Sequence, residues 1–114
     1  MTDCTEATLL RLFIGESDEH DGRPLYEAIV LKARELGLAG ATVLRGSMGY
    51  GRSSRLHTTK ILRLSDDLPL VIEIVDAPEK IERFLSEAKS ILGSCLVTLE
   101  KVQVVRYGHD PGLR

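Results

Sequence analysis

Between residues 45 and 60 the chain reads Arg45-Gly46-Ser47-Met48-Gly49-Tyr50-Gly51-Arg52-Ser53-Ser54-Arg55-Leu56-His57-Thr58-Thr59-Lys60, a stretch suited to holding an anion. Gly46, Gly49 and Gly51 permit close backbone approach to a ligand, and their N–H groups can cradle negative charge. Arg45, Arg52, Arg55, His57 and Lys60 surround them with cationic side chains, and arginine suits bidentate phosphate contacts. Solvated arginines at a hairpin tip are the plain alternative. Tyr50, set between two glycines, is expected to be exposed, as a ligand or partner contact would require. The segment from Gly46 to Ser53 also fits GxxxxGRS, a Walker A loop with Arg in place of Lys. Such a loop opens directly into a helix, however, and Ser53–Lys60 carries no apolar helical stripe. The dinucleotide fingerprint fails too, because the glycine spacing runs in the reverse order.

Other reactive groups are more scattered. Glu16, Asp18, Glu19, His20 and Asp21 combine carboxylates and imidazole that suit a divalent cation, although an acidic run ahead of a helix is commonly a solvated cluster that complements the helix dipole. Glu73 interrupts an apolar strand and is expected to form a structural ion pair with Lys60 or Arg63 across a hairpin. Cys4 and Cys95 form no CxxC pair, so neither a zinc knuckle nor a disulfide framework is indicated. Cys95 is expected to pack as a small apolar side chain. No Ser/His/Asp or Cys/His arrangement is suggested, and the chain is read as non-enzymatic.

The elements that must position these groups follow from periodicity and punctuation. Ala7–Ile14 reads as a strand closed by Gly15, and Glu16–Gly22 as a polar loop. Pro24 suits a first helical position, apolar Leu25, Ile29, Ala33 and Leu36 follow at helical spacing, and Gly37 closes the helix. Gly40–Arg45 reads as a second strand, Lys60–Leu64 as a third segment, and Leu70–Val75 as a central strand rich in β-branched residues. Asp76 is expected to cap a second helix with Glu79 reaching back; Ile81, Phe84, Leu85, Ala88, Ile91 and Leu92 form its apolar stripe up to Gly93. Leu96–Tyr107 reads as a last long strand. The order β-α-β-loop-β-α-β gives an α+β fold, a ferredoxin-like βαββαβ antiparallel sheet with two helices on one face. The strands carry apolar residues in both phases, so the face without helices is expected to be covered by another copy of the chain.

Composition narrows the partners. With 15 basic and 17 acidic residues the net charge is −2, which argues against nucleic acid as a ligand, as does an aromatic content of 4%. A 114-residue chain suits one domain. No apolar run reaches membrane-spanning length, and Met1–Glu6 lacks a basic start, so a cytoplasmic location is expected.

Phe13-Ile14-Gly15-Glu16, Gly22-Arg23-Pro24-Leu25-Tyr26-Glu27-Ala28, Gly37-Leu38-Ala39-Gly40-Ala41-Thr42-Val43-Leu44-Arg45-Gly46, Leu68-Pro69 and Ile72-Glu73 together resemble PII-like signalling proteins, specifically a small uncharacterised branch of that superfamily. The resemblance spans Leu9 to Tyr107. It implies residues 1–108 as a single PII-like ferredoxin-fold domain with a flexible C-terminal tail, 109–114. It also implies a homotrimer that binds an adenine nucleotide in clefts between subunits and engages a membrane transporter or an enzyme through a loop after the second strand. Gly49-Tyr50-Gly51-Arg52 resembles the Gly-Phe-Gly-Arg at the base of the PII signalling loop, displaced by one residue relative to Thr42. On this resemblance Gly40 and Thr42 lie near adenine and Arg106 meets the phosphates. Together with the residue reading, the nucleotide set is Gly40, Thr42, Arg45, Gly46, Gly49, Gly51, Arg52 and Arg106, and the partner loop carries Tyr50, Arg55 and His57. The Gly-Asp-Gly-Lys phosphate loop of classical PII is replaced by Gly93-Ser94-Cys95, and a further phosphate arginine falls on Val104, which favours AMP or ADP over a triphosphate. Tyr50 is offset from the modifiable tyrosine of some PII loops, so uridylylation is not expected. Two alternatives compete. One is a metal-responsive trimer similar to the divalent-cation tolerance proteins, using Glu16, Asp18, His20 or His57; the other is a ligand-free structural adaptor.

Overall fold

The computed structural model describes residues 4–50 and 67–105. The expected strand at 60–64, residues Gly51, Arg52, Arg55, His57, Lys60 and Arg106, and the 109–114 tail lie outside the described residues. Apolar alternation in β1 (Thr5–Gly15) buries Leu10, Leu12 and Ile14 on one face. The expected loop after it contains a small hairpin, β2 (Glu19–His20) and β3 (Arg23–Pro24), turned at Asp21 and Gly22, which have φ of 52° and 79°. Positive φ at both central residues matches the Asp-Gly preference of tight hairpin turns.

Helix α1 (Leu25–Glu35) follows directly, with Pro24 at its N-cap rather than at the first helical position. At its end Gly37 takes φ 77°; its N–H donates to the Arg34 carbonyl and that of Leu38 to the Ala33 carbonyl. These paired contacts form the Schellman closure expected of a glycine there. Strand β4 (Thr42–Arg45) comes next, and β5 (Pro69–Asp76) begins after the undescribed segment.

Helix α2 (Pro78–Glu87) starts one residue later than the capping pattern suggests. Ala77 is its N-cap, with no side-chain capping bond, and Pro78 takes the first turn. Asp76 is drawn elsewhere: its two carboxylate oxygens accept from the backbone N–H of Ala77 (2.7 Å) and of Ala39 (2.8 Å), tying the helix entrance to the α1–β4 connection. The expected single stripe to Gly93 is broken at the fully buried Ala88, after which α3 (Lys89–Leu92) makes a separate turn. Strand β6 (Leu96–Val104) closes the order.

The sheet runs β4-β5-β1-β6, with every neighbouring pair antiparallel. This is the ferredoxin-like arrangement, and helices cover one face. Leu10, Leu12, Leu70, Ile72 and Ile74 from the sheet meet Ile29 of α1 and Ile81 and Phe84 of α2 in one core. On the other face, register lines up Leu44, Val71, Phe13 and Leu96 in a row that crosses all four strands. Phe13, Leu44 and Leu96 are exposed there. The adjacent row is Thr42, Glu73, Arg11 and Thr98. Among the described residues no helix is long and apolar enough to cross a membrane.

Candidate functional site

The chain enters and leaves the 51–66 segment at one corner of the sheet. The Gly46 N–H donates to the Pro69 carbonyl (2.8 Å), joining the end of β4 to the start of β5. The Glu16 N–H donates to the Leu68 carbonyl (2.8 Å), which brings the end of β1 to the same place. Asp67 accepts from the Ser17 N–H (3.0 Å), and Asp18 accepts from the Gly15 N–H (2.9 Å). Arg45 reaches across this corner to the Glu16 carboxylate, and the pair ties the end of β4 to the end of β1.

The glycines here have a structural duty that their spacing alone does not reveal. A Cβ on Gly46 would lie 2.9 Å from Cγ of Pro69, and one on Gly49 3.1 Å from the same atom. Both glycines therefore let the chain lie against the Pro69 ring. In this conformation the Gly46 N–H is engaged and is not offered to a ligand. Met48 between them and Tyr50 beyond them are widely exposed, Tyr50 at 77%.

Gly40 and Thr42 are exposed at the opposite end of β4, which is an edge strand. Thr42 pairs in register with Glu73 and so lies on the face without helices, whereas Arg45 pairs with Leu70 on the helix face. A ligand contacting both must straddle the sheet edge. Strand β6, which leads towards Arg106, lies at the other edge, and its Val104 pairs with Thr5. Arg45 aligns through Leu70 with Ile14 at the far end of β1. Those two positions on β1 are about 30 Å apart at the usual rise of a strand. Arg45 and the end of β6 thus occupy diagonal corners of the same sheet.

The acidic run does not gather into a metal centre. Glu16 is committed to Arg45, Asp18 to the Gly15 N–H, and His20 stands 3.4 Å from Asp21. Among the described residues no group of three or more His, Cys, Asp or Glu side chains is placed to hold a metal ion.

Glu73 takes a partner from β1. Arg11 Nε contacts its carboxylate at 2.9 Å, and Arg11 Nη1 contacts Glu100 at 3.2 Å. Arginine stays protonated in proteins, and the hydrogen bond to Glu73 raises the Arg11 guanidinium further above its ordinary pKa; Arg11 is a fixed cation at the centre of the open face. Cys95 packs against the core, and burial pushes its thiol up, away from the reactive thiolate.

Fold and corner together define an α+β chain whose antiparallel sheet brings Glu16, Arg45 and Gly46 to one corner. The family model described as DUF190, Uncharacterized ACR, COG1993, matches residues 7–104, and the chain belongs to that family. A UPF0166 protein of Aquifex aeolicus (strain VF5) is 43% identical over 97 residues, covering 85% of this chain and 91% of the relative. Among solved structures, CPII from Thiomonas intermedia K12 bound to ADP and bicarbonate superposes with a TM-score of 0.66 at 16% identity, covering 93% of this chain and 95% of that one. The apo form of CPII, described as a nitrogen regulatory PII-like protein, gives 0.63 at 15% identity over 94% of this chain and 100% of that one. At such identities the likeness is one of fold.

Proposed function

We propose that this chain is a non-catalytic PII-like regulator. Three copies pack through their open sheet faces, bind ADP or AMP in the clefts between them, and use the 46–60 segment to act on a protein target, a membrane transporter or an enzyme. Support comes first from the diagonal separation of Arg45 and the end of β6. A nucleoside diphosphate cannot span that distance within one chain, whereas a neighbouring copy can bring its β6 end to the Arg45 corner. The uncovered row Leu44–Val71–Phe13–Leu96 supplies an apolar surface for such packing. CPII, which shares the fold, is described bound to ADP.

In this reading Gly40 and Thr42 face adenine; Gly49, Gly51, Arg45, Arg52 and Arg106 serve the phosphates; and Tyr50, Arg55 and His57 face the target. Gly46 shapes the corner against Pro69. Nucleotide changes the affinity for the target only through contacts that differ between the free and bound arrangements of the segment.

Calorimetric titration with AMP, ADP, ATP and cyclic dinucleotides tests this reading. The expected result is micromolar binding of ADP or AMP at one site per chain, weakened at least tenfold by Arg52→Ala and by Arg106→Ala. Unchanged affinity in both variants would overturn the site, and an absence of heat with every nucleotide would overturn the function.

A further inference from the structure

The corner described above holds three carboxylates, and they are not equivalent. Asp67 and Asp18 accept from backbone N–H groups, of Ser17 and Gly15 respectively, and so hold the turn in place. Glu16 is fixed through its own N–H to the Leu68 carbonyl, which leaves its carboxylate free to meet a side chain. It meets Arg45, the described cation at the mouth of the 51–66 segment. A carboxylate on an arginine fork occupies the position that phosphate oxygens would take, because both anions match the same donor geometry.

We propose that Glu16 is a built-in competitor for the phosphate position on Arg45: the carboxylate holds the guanidinium in the unliganded chain, and an entering phosphate displaces it. This inference rests on the nucleotide reading given above and adds a residue that sets its affinity. The pair is poised for exchange. Arg45 is 60% exposed and Glu16 27%, so the carboxylate can turn into water without opening the core. A ligand that needs Arg45 free binds with its intrinsic affinity reduced by the fraction of molecules in which the pair is open. An ion pair this exposed shifts that fraction only modestly, by about fivefold, equivalent to about 1 kcal/mol. Glu16 thereby keeps weak phosphate ligands off the corner.

Glu16→Gln, Arg45→Ala and the double variant should be titrated with ADP and, separately, with inorganic pyrophosphate. Glutamine keeps the shape of Glu16 while removing the competing charge, and Arg45 is exposed enough that its truncation leaves the core intact; thermal melts of each variant verify both points. Tightening of ADP and pyrophosphate binding by about fivefold in Glu16→Gln is expected, with the gain abolished when Arg45 is already alanine. Equal or weaker binding by Glu16→Gln overturns the proposal, as does a gain that persists without Arg45. If ADP binds no variant while pyrophosphate binding still tightens, the nucleotide reading falls and the exchange stands. If neither probe binds any variant, both fall.

Discussion

Gly46 illustrates how one position can carry a spacing that suits ligand chemistry and a constraint that is purely steric. A methyl group there would meet Pro69 Cγ at 2.9 Å, and a proline ring yields little. The backbone bond from Gly46 to the Pro69 carbonyl fixes the approach. Gly46→Ala is therefore expected to lower stability by about 1–3 kcal/mol, read as a reduced urea midpoint with an unchanged slope. An unchanged midpoint would show that the corner yields freely. Little of this is legible in the sequence, because Pro69 lies on the far side of the 51–66 segment and only the fold brings it back. The same holds for Glu73. Its place in an apolar strand announces an ion pair, yet proximity along the chain points to a partner across the nearest hairpin, whereas β1–β5 pairing delivers Arg11. Glu16 reads in the sequence as a metal candidate, a solvated helix-dipole partner or part of a family motif, and none of these readings pairs it with Arg45. Nothing local says that an edge strand will place Arg45 beside it.

Among the elements, those carried by periodicity are legible in the sequence and those carried by long-range contacts are not. Leu25, Ile29 and Ala33 repeat at helical spacing, and Gly37 punctuates them, so α1 is visible within a residue at each end. The Schellman closure gives Gly37 a measurable role. It sits at φ 77°, and a Cβ added there would find no neighbour within 4 Å, so only the left-handed backbone resists a methyl group. Gly37→Ala should then cost about 1–2 kcal/mol, seen as a lowered thermal midpoint with unchanged helical content. A neutral substitution would mean that the closure is dispensable. The entrance to α2 departs from its sequence pattern for a definable reason. Asp76 and Glu79 have the spacing of a capping box, but Pro78 fixes the first turn after Ala77, and the Asp76 carboxylate is held by the Ala39 N–H from the preceding connection. The break at Ala88 is equally hidden, since the apolar stripe continues straight through it.

For the whole molecule, the two-phase apolar pattern of the strands is the most informative signal in the sequence. It anticipates a sheet covered by helices on one side and bearing an apolar row on the other, and the structure has both. The centre of that open face is polar: Arg11 bridges Glu73 and Glu100, flanked in register by Thr42 and Thr98. A face with an apolar row beside an ion-paired row can favour one packing register over others, because misalignment would bury the charged row against the partner's apolar row. The candidate site is less legible than the fold, since Arg45 and the end of β6 lie at diagonal corners of one chain and, in the proposed reading, meet only when a second copy supplies the other half. That composite site is the central claim, and subunit mixing tests it most directly. Arg45→Ala and Arg106→Ala chains, each defective in ADP binding alone, are unfolded together, refolded as a mixture and titrated with ADP. If one copy supplies Arg45 and its neighbour Arg106, random mixing rebuilds about one intact site in four, and ADP binding returns at that stoichiometry. Binding by the mixture as weak as that of the separate variants would contradict the account.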